Sequence, residues 1–326
     1  MQKEDHAGTT SVLEYYKKSN PLSDIKRYSD KIQVRPNDVG ALVKFTQNII
    51  IHDMWLERYG VKLSPDRVCQ QSTPSMEDIL ELALQLKPGP FSMERSPSEK
   101  VIACCREYTT LLCALLRMMD IPARARCGFA TYLAKDGYYE DHWICEFWNG
   151  TRWQMIDPQI DDFQLNSIRT YANTNKDVRS GYREMLLSLD PMDLKENDFI
   201  SSAKAWRECR NQQANPITFG ISADPKMYKL KSLYGMWFIR GNLLRDFAAL
   251  NKVELLPFLS GLERNNDYWS SWRLISMKDE ELTSYDWELM DHIAVMIANP
   301  DQYFEEIMET YQKHEDLRPT NAIIGL

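Results

Sequence analysis

Across 326 residues no apolar run approaches the roughly 18 that a membrane-spanning helix needs. No tract of Lys and Arg stands out, and none of the seven cysteines sits in a Cys-x-x-Cys pair. The first absence argues against a helical membrane partner. The second, with 39 Lys and Arg against 47 Asp and Glu and a formal charge of −8, argues against a chain that grips nucleic acid by its phosphates. The third argues against a thiolate zinc site. Seven cysteines (Cys69, Cys104, Cys105, Cys113, Cys127, Cys145 and Cys209) are odd in number and sparse for the length, which reads as free thiols in a reducing compartment. The opening Met1-Gln2-Lys3-Glu4-Asp5-His6 lacks the basic-then-apolar pattern of a secretory signal, so the expected location is cytoplasmic. What is present, 44% hydrophobic and 26% charged residues, describes a globular chain of one large domain or two medium ones and excludes a disordered one.

Local signals divide the chain. Residues 1–36 are polar and read as an N-terminal extension. Arg35-Pro36-Asn37-Asp38 is a turn leading into a helix capped by Asn37 or Asp38, and Val39, Leu42, Val43, Ile49, Ile50 and Trp55 carry that helix to about Tyr59 before Gly60. A second helix is expected between Ser72 and Pro88, opened by Thr73-Pro74-Ser75 and ended by Pro88-Gly89-Pro90. A third begins at Cys104 or Cys105, with Tyr108, Leu111, Leu112, Leu115, Leu116 and Met119 on one broad face, and ends at Ile121-Pro122. Strands follow at Arg124–Leu133, Tyr139–Trp148 and Thr151–Asp157, separated by Asp136-Gly137 and Asn149-Gly150. Helices followed by an antiparallel sheet make an α+β class. Beyond Pro158 helices are expected near 198–213, 228–251, 280–298 and 301–314, with few strand-like runs. The division that follows is an extension over 1–36, a core over 37–165 and a mostly helical region over 166–326.

The hairpin carries a geometric consequence. If Asn149 and Gly150 are the two loop residues, cross-strand partners have numbers summing to 299, and His142 faces Asp157. With Gly150-Thr151 in the turn the two lie diagonally on the same face, and a three-residue loop or bulge puts them on opposite faces. A histidine held by an aspartate is part of a nucleophilic triad, in which the carboxylate fixes the tautomer and stabilises the imidazolium. Cys105 supplies a nucleophile, because a thiol at a helix N-terminus meets the positive end of the helix dipole and unpaired N–H groups that favour thiolate.

These residues resemble the transglutaminase-like superfamily, relatives of the papain-like thiol enzymes. Cys105-Arg106-Glu107-Tyr108 is similar to the family's Cys-Arg-Asp-Tyr motif and is followed by a Leu-rich helix and Ile121-Pro122-Ala123-Arg124. Gly128-Phe129 resembles its Gly-Tyr or Gly-Phe strand, His142-Trp143 its His-Trp motif, and Trp153 through Asp157-Pro158 its Trp-x-x-x-Asp-Pro motif. The likeness covers about residues 100–160. It implies a nucleophile helix packed on an antiparallel sheet, with Cys105 as nucleophile, His142 as general base and acid, and Asp157 as the orienting carboxylate. Cys105 is preferred over Cys104 because only that register puts Arg, Glu and Tyr in motif order. Asp120 stands where the family commonly has Gly, a position that Asp tolerates in the left-handed conformation. For the second oxyanion donor, Trp55, Gln70 and Gln71 remain alternatives.

The function so implied is cysteine-dependent acyl transfer, cleaving or transamidating a peptide or carboxamide bond through a thioester. Hydrolysis of a peptide or protein substrate is favoured over transfer to a small amine, and no metal or organic cofactor is required. The rivals are a catalytically silent binding or scaffold protein and a glycan-releasing amidase resembling peptide N-glycanase, the latter weakened by the missing paired Cys-x-x-Cys motifs. The other cysteines read as small buried hydrophobes. His52 reads as a structural histidine, because nothing around it in sequence points to a Cys-Asp geometry. Asp161-Asp162 reads as solvated loop carboxylates, and Trp206, Trp237, Trp269, Trp272 and Trp287 as core by default.

Overall fold

The computed structural model describes residues 11–35, 38–62, 64–65, 67, 70, 75–221, 233–254 and 273–318. The chain divides into two compact units, one comprising Met1–Ala125, Ile144–Asp161 and Lys252–Arg264, the other Arg126–Trp143, Asp162–Asn251 and Asn265–Leu326.

In the first unit, helix α1 (Val39–Ile49) is capped by Asp38, whose Oδ1 accepts the Ala41 N–H at 2.9 Å. It stops ten residues short of the expected Tyr59. Ile49, Ile50 and Ile51 are β-branched and stiff at χ1, and from Ile50 the backbone becomes extended as strand β1 (Ile50–His52). β1 pairs in parallel with β2 (Val101–Ala103) in the register Ile50↔Val101, Ile51↔Ile102 and His52↔Ala103. A 3-10 helix over Asp53–Tyr59 then ends at Gly60, whose φ of +73° is the left-handed conformation that Gly adopts without penalty. Helix α2 (Met76–Leu86) connects β1 to β2, with the Ser75 hydroxyl accepting from the Asp78 N–H. Helix α3 (Cys105–Met118) leaves β2 after one residue, Cys104, and buries Leu111, Leu112, Leu115 and Leu116 completely. Asp120, just past its end, has φ +61°.

The sheet runs β5-β4-β3-β6, with β7 beside β4. Strand β3 (Ala123–Ala130) is shorter at its far end than the expected Arg124–Leu133, β4 (Tyr139–Trp148) keeps the expected bounds, and β5 (Trp153–Ile156) lies inside the expected Thr151–Asp157. β4 and β5 are antiparallel, with Cys145↔Ile156 through Trp148↔Trp153. These pairs sum to 301, so Gly150-Thr151 forms the turn. Asn149 is drawn into the ladder side because its N–H donates to Arg152 O while its side-chain oxygen accepts from the Thr151 and Arg152 N–H groups. Gly150 takes φ +100° at the tip.

The second unit takes the later part of β3, the earlier part of β4, and most helices. Helices α4 (Asp162–Thr174) and α5 (Ser180–Ser188) pack on each other. Neither was expected from the sequence, because α4 buries only the narrow stripe Gln164, Ile168 and Ala172, and α5 only Leu186. Strand β6 (Phe199–Ser201) pairs antiparallel with β3, where the sequence suggested helix from 198; helix α6 (Ser202–Arg210) begins directly after it. Strand β7 (Phe219–Gly220) adds in parallel to the Tyr139 end of β4. Helix α7 (Met236–Leu250) is buried on nearly every side and packs with α6, α8 (Ser284–Ala298) and α9 (Phe304–Lys313). The C-terminal half is thus mostly helical and the fold is α+β. No helix among the described residues is long and apolar enough to cross a membrane.

Candidate active site

Cys105 is the first residue of α3 and is 5% exposed. The helix start is held by its own side chains: Glu107 Oε2 accepts the Cys104 N–H at 2.9 Å, which satisfies one of the donors that a helix N-terminus leaves unpaired. Arg106 is buried, pairs with Glu107 at 3.3 Å and donates its Nε–H to the Glu254 carbonyl at 2.9 Å. The Tyr108 hydroxyl donates to Ile50 O at 2.9 Å and so locks the first turn of α3 to β1. The thiol thus sits at the positive end of the α3 dipole, the arrangement expected to favour thiolate.

His52 departs from expectation. It is 7% exposed, its Nδ1 lies 3.0 Å from Asp53 Oδ1, and its side chain hydrogen-bonds Cys105. Burial acts against the charged ring, yet the hydrogen bonds to Asp53 and Cys105 outweigh it and raise the imidazole to about 9. A Cys, a His and an Asp therefore meet within the first unit at residues 105, 52 and 53. Sequence reasoning missed this because it ran one helix through to Tyr59. The β1–β2 register, a pairing between residues about fifty apart, is what brings His52 beside Ala103 and so close to Cys105.

Four of the other thiols are pushed toward the protonated form. The hydrogen bond to Cys105, then burial, pushes the Cys104 thiol up. Burial pushes Cys127 and Cys145 up as well, and Cys209 up to about 11. Cys113 and Cys145 are fully buried, with sulfurs 3.4 Å apart. Cys69 lies outside the described residues.

Asp157 is fully buried and follows the last residue of β5; its Oδ1 accepts the Gln159 N–H at 2.9 Å. The loop behind it is anchored by Gln47, whose amide donates to Pro158 O and Ile160 O, both at 3.2 Å. Continuing the register by one residue puts Asp157 opposite Ile144, and residues 142 and 144 share a face of β4. His142 is 1% exposed, with the Tyr132 ring edge-on at 6.2 Å. Its neighbour Asp141 accepts from the Asn242 amide at 2.7 Å, which ties this part of β4 to α7.

Among the oxyanion candidates, Gln70 has its side-chain oxygen engaged by the Ile102 N–H at 3.2 Å and by Arg67 at 3.1 Å. Trp55 is half-buried under the Arg58 guanidinium, 4.4 Å from its ring, and Gln71 lies outside the described residues. Asp161 is not simply solvated: it accepts from the Tyr59 hydroxyl at 2.6 Å, whereas Asp162 is exposed and opens α4. Among the described residues no group of three or more His, Cys, Asp and Glu side chains is arranged to hold a metal ion. Trp206 is fully buried and stacked with Trp287, and its indole N–H donates to Asp291; Trp237 is half-buried against Phe238, and Trp269 and Trp272 lie outside the described residues.

No curated protein and no solved structure matches the chain. A family model does, over residues 85–158, and its description is the transglutaminase-like superfamily. That stretch runs from the end of α2 to just past β5 and contains Cys105, His142 and Asp157, all three buried. Residues 85–158 thus match the transglutaminase-like superfamily.

Proposed function

We propose that the protein is a thiol acyl-transfer enzyme in which Cys105 is the nucleophile, His142 the general base and acid, and Asp157 the carboxylate that orients His142. The observation that carries the reading is the setting of Cys105: first residue of a buried helix, inside the family-matched stretch, with the His52 side chain hydrogen-bonded to it. Its chemistry follows from the residue types. The thiolate attacks a carboxamide or peptide carbonyl and a C–S bond forms. The C–N bond then breaks as His142 passes its proton to the departing amine nitrogen. His142 next takes a proton from water, or from a second amine, as that nucleophile attacks the thioester and returns the Cys105 thiolate. A peptide or protein is the substrate class, a small amine an optional acceptor, and hydrolysis the favoured outcome. Neither metal nor organic cofactor takes part in these steps.

The experiment is to incubate the protein with peptide amide libraries, quench in acid to preserve the acyl-enzyme, and locate the modified residue by mass spectrometry, with release by hydroxylamine as the check that the bond is a thioester. The expected result is a thioester at Cys105 that disappears in Cys105→Ala and persists in Cys104→Ala. Asp157→Asn should fold but lose about 10⁴-fold in turnover, because the amide neither enforces the tautomer nor supports the imidazolium. An acylated Cys104 in the Cys105→Ala variant would move the nucleophile by one residue, and no acylation by any peptide would favour a binding protein with a silent triad.

A further inference from the structure

Two histidines compete for one role at Cys105 in this chain. The first is His142, paired with Cys105 by motif order. The second is His52, which the first unit brings to the thiol by register: it ends β1 opposite Ala103, and the chain continues from Ala103 through Cys104 into the first residue of α3. We infer that His52, seated by Asp53, is the ion-pair partner that keeps the Cys105 sulfur a thiolate, so that His142 is left to carry the proton to the leaving group. The inference rests on the reading of Cys105 as nucleophile.

Asp53 seats the ring at Nδ1. The Met54 N–H points at both Asp53 Oδ1, at 2.7 Å, and His52 Nδ1, at 3.2 Å. The shorter bond goes to the carboxylate, and when the ring is an imidazolium Nδ1 turns from accepting the Met54 N–H to donating to that same oxygen 3.0 Å away. Of the elements packed on β1, strand β2 brings only Val, Ile and Ala. Helix α3 brings Cys104, Cys105, Glu107 and Tyr108. The Glu107 carboxyl is pushed up by burial, although Arg106 pulls the other way, and the Tyr108 hydroxyl is spent on Ile50 O. The carboxylate beside the His52 ring is that of Asp53, 3.0 Å from Nδ1, and the group that gains from the imidazolium is the Cys105 sulfur.

Held well above neutrality, His52 is a poor proton donor at pH 7, which separates the two jobs. The thiol proton passes to His142, His52 keeps both ring protons throughout, and the C–S bond forms against a fixed positive charge. The departing amine takes its proton from His142. His52 exchanges none.

The test is the pH dependence of Cys105 alkylation by iodoacetamide in the full chain, with the modified residue localised by peptide fragmentation. It is measured in wild type, His52→Gln, Asp53→Asn and His142→Gln, each checked by thermal melt. The wild-type midpoint should lie well below the free-thiol value of about 8.5. His52→Gln should raise it toward that value and cut the rate at pH 6.5 by about tenfold or more, since a midpoint higher by about one pH unit leaves roughly a tenth of the thiolate at that pH. Asp53→Asn should move it the same way by less, and it carries the test if His52→Gln does not fold. His142→Gln should leave the midpoint near wild type while abolishing turnover. A low wild-type midpoint raised by His142→Gln but by neither His52→Gln nor Asp53→Asn overturns this inference and leaves Cys105 as nucleophile. A wild-type midpoint at about 8.5 or above overturns the nucleophile reading itself.

Discussion

A single imidazole makes the clearest statement about this protein at the scale of a residue. His52 is raised from the usual 6.5 to about 9: burial opposes the charge, and hydrogen bonds to Asp53 and Cys105 exceed that penalty. The folded chain therefore binds this proton more tightly than the unfolded chain does. Its contribution to stability is complete below about pH 6.5 and is lost as pH rises through about 9. Asp53→Asn removes one of the two supports, so wild type should exceed the variant in stability by on the order of 1–2 kcal/mol at pH 6, with the gap closing by about pH 10. Urea melts at a series of pH values measure it, and a gap that is constant across the range sinks the argument. Nothing local in Ile49-Ile50-Ile51-His52-Asp53 announces this role. The place of Cys105 at a helix start was legible because a Leu-rich face and an ordered motif follow it in sequence, whereas the neighbours that make His52 consequential arrive through strand pairing.

At the scale of the element, short-range chemistry decided what could be read. Asn149-Gly150 and Asp136-Gly137 bound β4 on both sides, so its ends were legible to the residue, and the turn shifted by one position only because the Asn149 side chain caps the loop from outside it. β1 was not legible, since three isoleucines satisfy helix and strand periods alike until a partner strand decides. Helix α7 carries Arg240, Asn242, Arg245 and Asp246 inside the protein, so its polar residues suggest a solvent face that does not exist. Gly128 belongs to this scale too. The motif contained it, but its reason is the approach of β6: a Cβ there would lie 2.5 Å from Ile200 O and 2.6 Å from the Phe199 ring. With Gly128 paired to Ser201 and Phe129 to Ile200, β6 must shift if a methyl is added. Gly128→Ala should thus cost about 1–3 kcal/mol by urea melt, as overpacking does elsewhere. A loss under about 0.5 kcal/mol would mean that the strand gives way freely.

For the whole molecule, each compact unit is closed around a buried carboxylate supplied by the same stretch of chain. In the second unit Asp246 accepts Arg126 Nε and Nη2 at 2.9 Å each, the Cys127 N–H at 3.0 Å and the Ser202 hydroxyl at 3.0 Å, joining α7 to β3 and α6. In the first, Glu254 accepts both Arg117 terminal nitrogens at 3.2 Å and the Asn20 amide at 2.7 Å, while its carbonyl accepts Arg106, the residue after Cys105. Both carboxylates are fully buried. Removing one leaves an arginine charge in the interior without its counter-ion, a loss of about 3–5 kcal/mol. Because each carboxylate serves its own unit, the two losses should appear in different places. In hydrogen exchange read by mass spectrometry, Glu254→Ala should lose protection in α3 and β2, and Asp246→Ala in β6, α6 and α7. The first variant should also slow Cys105 alkylation, since Arg117, held by the Glu254 carboxylate, lies on the same helix as that thiol. Identical exchange maps from the two variants would show that the chain unfolds as one cooperative body, and the assignment of Glu254 to the thiol's own unit would lose its energetic meaning.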